Sequence, residues 1–141
     1  MRVYVDSSAL LKRVLAEPES AVLTAALVTH VLAGDALVCS SLGWIEVSRA
    51  LRARSAGIAD NRVNDWCDLA LSGLLERPMN AEVVALARRL MPRVLRSLDA
   101  IHLASALLTD VDLIISYDQR LLDSAHHHGI AAASPAAPSA I

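Results

Sequence analysis

The sequence predicts an α/β fold: one domain with a central, mostly parallel sheet and helices on both faces. Three observations predict it. Short apolar runs alternate with longer helical segments along the whole chain. Each short run is uniformly apolar, as strands buried on both faces are. The 141 residues are 55% hydrophobic and 20% charged, which suits one packed core and excludes a disordered chain.

The elements follow in order. Val3-Tyr4-Val5 reads as a short buried strand. Ser7 or Ser8 is placed to cap a helix through about Ala16. Pro18 suits the start of a second helix, which runs through Val31 and ends at Gly34. Ala36-Leu37-Val38-Cys39 is the second strand. Ser40 and Ser41 cap a helix that carries Trp44, Ile45, Val47 and Leu51 and stops near Gly57. Another amphipathic helix starts near Asp60, with Val63, Trp66, Cys67, Leu69 and Ala70 on its apolar side, and ends at Gly73. Leu74 to Pro78 is a short strand. Asn80 caps a helix through Leu90, and Pro92 interrupts the pattern. Ser97 caps a helix from Leu98 to Leu108. Leu113-Ile114-Ile115-Ser116 is the most strand-like run in the chain. A helix over Gln119 to His127 and a last strand at Ile130–Ala133 complete the domain, 1–133. Residues 134–141 read as a flexible tail.

Composition narrows the function. Aromatic residues are 3% of the chain and Phe is absent, so Leu, Val, Ile and Ala must fill the core. The apolar excess hints at a surface buried against a partner. The net charge of -2 excludes a strong non-specific grip on nucleic acid. Any such contact must come from local basic patches and a bound cation. The basic residues are arginines apart from Lys12, and arginine suits bidentate phosphate recognition. Cys39 and Cys67 lack metal-motif spacing and read as reduced, buried thiols. Asp6 interrupts the apolar start, so no signal peptide is expected. No apolar run reaches the roughly 18 residues of a membrane span. A cytoplasmic location is expected.

Four acids are the candidate site: Asp6, Glu46, Asp99 and Asp118. Asp6 and Asp118 end apolar strands, and Asp99 opens an apolar helix. Parallel strands bring their C-terminal ends to one edge of a sheet, where ligand sites form. Acids gathered there raise each other's pKa unless a cation sits among them. Mg²⁺ takes such oxygens and keeps waters or phosphate oxygens as its other ligands. The pattern thus points to a metal-dependent phosphodiester enzyme. Each acid also has a plainer reading: Asp6 and Asp118 as helix caps, Asp99 as a dipole partner in a first turn, Glu46 as a solvated helix residue. Ser7 and Ser116 are supporting hydroxyls placed to orient a carboxylate, or ordinary caps. His102, three residues after Asp99, reads as a packed structural histidine. The run His126-His127-His128 points in different directions and makes a poor metal site. Arg49, Arg96 and Arg120 are candidate RNA contacts, and equally solvated faces.

The chain resembles the PIN-domain ribonucleases, specifically the VapC-type toxins of bacterial toxin–antitoxin pairs. The segments that carry the resemblance are Val-Tyr-Val-Asp-Ser-Ser-Ala-Leu at the start, Ser-Ser-Leu-Gly-Trp-Ile-Glu-Val-Ser-Arg-Ala-Leu around Glu46, Leu-Asp-Ala-Ile-His-Leu-Ala around Asp99, and Ile-Ser-Tyr-Asp-Gln-Arg-Leu around Asp118. The resemblance implies a three-layer α/β/α sandwich and an acidic site for Mg²⁺, with Mn²⁺ as a substitute. Asp6 and Asp99 match the principal metal ligands, and Glu46 and Asp118 match the acids that complete the metal site, so that all four acids are expected at the metal. Ser116 stands where the family often has Thr, which keeps the hydroxyl. The implied activity is endoribonuclease: water activated by the metal attacks phosphorus in line, with Glu46 or Asp118 orienting it. The implied partners are an RNA substrate, an antitoxin that lays an apolar segment into a groove between helices, and a second copy in a homodimer. Two rivals remain. A receiver domain needs a lysine after its last strand, which this chain lacks. A PIN fold that serves only as a binding module need not keep all four acids.

Overall fold

The computed structural model describes residues 1–137. Its strands are β1 (Arg2–Val5), β2 (Ala36–Ser40), β3 (Leu74–Arg77), β4 (Leu113–Ile115) and β5 (Ala131–Ala133). They form one sheet in the order β3-β2-β1-β4-β5, and every neighbouring pair is parallel. The helices are α1 (Ser7–Leu11), α2 (Ser20–Leu32), α3 (Ser41–Ala53), α4 (Asp60–Leu71), α5 (Ala81–Ala87), α6 (Ser97–Leu108) and α7 (Gln119–His127). Among the described residues, no helix is long and apolar enough to cross a membrane.

The chain steps outward from β1 to β2 and β3, then returns past β1 to β4 and β5. Right-handed crossovers place the helices before and after that reversal on opposite faces. Accordingly, α1 packs on α3 and α4, while α6 packs on α5 and α7. The result is the expected three-layer α/β/α sandwich. The two helix groups meet where α3 touches α6. The reversal makes the gap between β1 and β4 a topological switch point, with the C-terminal strand ends opening into it.

Burial explains the apolar runs. Val3, Tyr4 and Val5 of β1 are 0% exposed, and Ile114 and Ile115 of β4 are 0% and 1%. Each such aliphatic side chain contributes about 1.5–3 kcal/mol of burial free energy. Cys39 and Cys67 are free, buried thiols, as expected, and burial pushes the Cys39 thiol far up.

Several boundaries differ from expectation. The cap of α1 is Asp6, as its plainer reading had it, and its side chain accepts from the Ala9 N–H; Ser7 and Ser8, the other expected caps, turn their hydroxyls elsewhere, and the helix stops at Leu11. Pro18 lies in a turn, and α2 begins two residues later at Ser20, whose Oγ bonds the Leu15 carbonyl and the Glu17 N–H instead. Ser97 is already helical, and Arg96 is the uncapped residue before α6. Leu69 is 56% exposed because the buried stripe of α4 runs through Val63, Cys67 and Ala70. The helix capped by Asn80 ends at Ala87, short of Leu90. Of the expected tail, Pro135 accepts a hydrogen bond from Tyr117 Oη at 2.6 Å, and residues 138–141 lie outside the described residues.

One glycine sets how closely α3 approaches β2. Gly43 lies in the first turn of α3, and a Cβ there would overlap the Cys39 Sγ of β2. This close approach fixes the start of the helix that carries Glu46. Gly43→Ala is therefore expected to cost about 1–3 kcal/mol of stability through overpacking. Adding Cys39→Ala should recover most of that loss. Urea unfolding of the single and double variants checks both.

Candidate active site

Asp6 follows β1 directly, and its backbone N–H continues the sheet by donating to Ile115 C=O at 3.2 Å. The side chain is 4% exposed. A buried carboxylate needs donors, and three are present. Ser8 Oγ and the Ala9 N–H donate to Oδ1 at 2.6 and 3.2 Å, and Ser116 Oγ donates to Oδ2 at 2.9 Å. Both hydroxyls are themselves fixed. Ser8 Oγ accepts from the Tyr117 N–H at 2.9 Å, and Ser116 Oγ accepts from the Asp118 N–H at 2.9 Å. These bonds tie the ends of β1 and β4 together across the switch point. Burial still raises the Asp6 carboxyl above the ordinary value, with the three donors opposing it.

Asp118 caps α7. Its Oδ1 accepts from the backbone N–H groups of Arg120 at 2.9 Å and Leu121 at 3.4 Å. The plain capping role is realised, and Asp118 also acts on its neighbour Asp99. Asp99 sits half-buried in the first turn of α6. Its carboxyl is raised by burial first and then by the charge of Asp118; Asp6 adds a smaller push, while Arg120 opposes. Asp6, Asp99 and Asp118 thus share one electrostatic field at the sheet edge.

Glu46 reaches this cluster through hydrogen bonds. Its Oε1 accepts from Ser7 Oγ at 3.1 Å and faces His102 Nε2 at 2.5 Å. His102 is 3% exposed and faces Tyr4 Oη at 2.7 Å through Nδ1. Sequence reasoning gave His102 a structural role and Ser8 only a capping role, and it placed Tyr4 in the core. The signal for His102 was its position, one helical turn after Asp99. Nothing local to Tyr4 distinguishes it from a core residue.

Of the candidate arginines, Arg120 lies close enough to Asp99 to lower its carboxyl. Arg49 and Arg96 are exposed and make no ion pair among the described residues. The structure ties neither of them to the acids.

The donor set is all hard oxygen: carboxylates and hydroxyls. Among the described residues, no three His, Cys, Asp or Glu side chains converge closely enough to ligate one ion. A closed cage for Zn²⁺ or Ca²⁺ does not fit that arrangement. A hydrated Mg²⁺-type ion does, because it needs only one or two carboxylates and keeps water in its other positions. The raised carboxyls of Asp6 and Asp99 supply the electrostatic reason for a cation there.

Comparison with known proteins bears on this geometry. The PIN domain family model matches residues 3–127. Ribonuclease VapC47 of Mycobacterium tuberculosis (strain CDC 1551 / Oshkosh) is 34% identical over 137 residues, spanning 96% of this chain and 98% of the relative. Ribonuclease VapC46 of Mycobacterium tuberculosis (strain ATCC 25618 / H37Rv) is 39% identical over 137 residues, spanning 94% and 97%. Among solved structures, VapBC2 from Rickettsia felis, bound to a DNA fragment from its promoter, superposes with a TM-score of 0.69 at 10% identity. It spans 94% of this chain and 98% of the neighbour. That likeness shows the fold.

The electrostatics predict how the ion-free protein responds to pH. Folding raises the Asp99 carboxyl above its unfolded value near 3.8. Below the unfolded value both states are neutral and the group costs nothing. As pH climbs from there through the raised value, charge is forced on in the fold and stability is lost. In EDTA, Asp99→Asn is therefore expected to raise Tm at pH 7, and the gain should shrink as pH falls toward 4. Thermal unfolding of the two proteins across that window checks it.

Proposed function

This chain belongs to the PIN domain family as a VapC-type member, and from that premise we propose that it is a divalent-metal-dependent endoribonuclease, the toxin of a toxin–antitoxin pair. The observation that supports this most is the buried Asp6 carboxylate at the switch point, held in place by Ser8, Ser116 and the Ala9 N–H, with Asp99 and Asp118 close enough to feel each other's charge and Glu46 bonded to His102.

Asp6 and Asp99 are the residues to hold the ion. Mg²⁺, or Mn²⁺ in its place, would polarise the scissile phosphodiester there and make water easier to deprotonate. The protein's own residues do the rest. Asp6 is oriented in advance by Ser8, Ser116 and the Ala9 N–H, so little reorganisation accompanies binding. Glu46 presents a carboxylate whose position is set by Ser7 and His102, and it orients the attacking water and accepts its proton. Asp118, anchored as a helix cap, holds negative charge beside Asp99 and completes the site. Attack by water on phosphorus breaks the P–O3′ bond, leaves a 5′-phosphate on one product and a 3′ oxygen that takes a proton from water on the other, and needs no ribose 2′-hydroxyl. Arg120, next to Asp99, would meet the phosphate, with Arg49 and Arg96 contacting the RNA backbone further away.

The named relatives are ribonucleases, and the Rickettsia felis neighbour is a VapBC assembly. Both support an antitoxin partner for this chain. So does its exposed apolar surface: Val31 and Leu32 of α2 are 56% and 82% exposed. They border a cleft of about 280 Å³ lined by Leu27, Val28, Leu37 and Gly73. A homodimer and a cytoplasmic location complete the reading.

The test is cleavage of total RNA by the purified protein. Discrete products are expected with Mg²⁺ or Mn²⁺, absent in EDTA and absent for Asp99→Asn, with 5′-phosphate ends on mapping. Equal behaviour of wild type and Asp99→Asn across several RNA pools would overturn the nuclease reading and favour a binding module.

A further inference from the structure

We infer that Tyr4 and His102 are positioning residues that fix Glu46 through one of its two oxygens, so that Glu46 addresses water with the other and stays out of the ion's coordination. The inference rests on the ribonuclease reading above and assigns work inside that site.

Tyr4 is fully buried in the central strand, and its Oη accepts from the Ser40 N–H at 3.1 Å. A phenol ionises only at about pH 10, so at neutral pH it carries its proton. Its single proton therefore remains to be donated, and His102 Nδ1 at 2.7 Å is a far better acceptor than the nearby Cys39 sulfur. An imidazole that accepts at Nδ1 carries its hydrogen on Nε2. That N–H points at Glu46 Oε1, 2.5 Å away. Ser7 Oγ donates to the same oxygen at 3.1 Å. A carboxylate oxygen has two lone pairs, so Oε1 is saturated by these two donors. Only Oε2 is left open.

The relay joins β1, α6 and α3, which belong to different layers of the fold. Glu46 itself is only partly buried, and a half-exposed glutamate on a helix is otherwise free to change rotamer. A buried histidine needs partners in any fold. Here both ring nitrogens are committed, one to a phenol in the strand below and one to the Glu46 carboxylate.

The experiment uses the full chain with His102→Leu, His102→Gln and Tyr4→Phe. The readouts are RNA-cleavage kinetics, Mn²⁺ calorimetry and long-range ¹H–¹⁵N spectra of the imidazole. His102→Leu is expected to lower kcat by about 10–100-fold, the usual cost of losing an orienting partner behind a metal site. KM and Mn²⁺ affinity should hold. His102→Gln, whose amide N–H can take the place of Nε2–H, should recover most of kcat, and Tyr4→Phe should give a smaller loss than His102→Leu. The wild-type spectrum should show the Nε2–H tautomer. An unchanged kcat in His102→Leu would overturn the inference. So would a fall in Mn²⁺ affinity that tracks kcat, since Glu46 would then be a ligand. A wild type that cuts no RNA would overturn the ribonuclease reading alone. The spectrum still decides the relay in that case: an Nδ1–H tautomer overturns it, and Nε2–H supports it.

Discussion

A carboxylate almost out of contact with water, at the end of the central strand, is the constraint on which the rest of the structure depends. Asp6 is 4% exposed. An isolated ion in that position would be costly by several kcal/mol. The fold answers with donors drawn from both sides of the switch point: Ser8 and the Ala9 N–H from α1, Ser116 from the end of β4. Satisfying Asp6 thus fixes the relation between β1 and β4. It also ends β1 with a helix cap, so that α1 leaves the sheet at a set angle. The donors do not fully offset the burial, because the carboxyl remains raised. That residual imbalance is what a cation would relieve.

The second constraint is the meeting of the two helix layers. Gly43 lets α3 start hard against Cys39, which places Glu46 one turn further along. The turn of α6 that carries Asp99 also carries His102, three residues later and on the same side. One acid of α6 therefore enters the field of Asp6 and Asp118, while the histidine behind it reaches across to Glu46. A short stretch of α6 does two jobs, and Tyr4 in β1 anchors the second of them.

Much of this was legible in the sequence, for identifiable reasons. Uniformly apolar runs are what parallel strands buried on both faces require, so Val3–Val5, Ala36–Cys39 and Leu113–Ile115 stood out. Asp6, Asp99 and Asp118 were legible as candidates because each sits where an apolar run meets a helix. The hydroxyls were harder. Ser7 and Ser8 look like caps, and only the three-dimensional structure shows that Asp6 takes the cap and frees them for Glu46 and Asp6. Tyr4 was hidden for a deeper reason. Its partner is 98 residues away, and a tyrosine between two valines reads as core whether or not its hydroxyl has work to do. Short-range pattern carries no trace of a bond set by strand order. Helix ends such as Leu11 and Ala87 were missed because no Gly or Pro directly follows either of them to mark it.

On this reading the acids divide the labour: Asp6 and Asp99 would take the cation and Glu46 would not. The most direct measurement is a crystal structure of the full chain soaked in Mn²⁺, with the ion located by its anomalous signal. The account predicts a peak contacted by Asp6 and Asp99, waters at its remaining positions, and Glu46 Oε1 still on His102 Nε2. A peak ligated directly by Glu46 with the His102 bond broken, or no peak among these acids at saturating Mn²⁺, would contradict it.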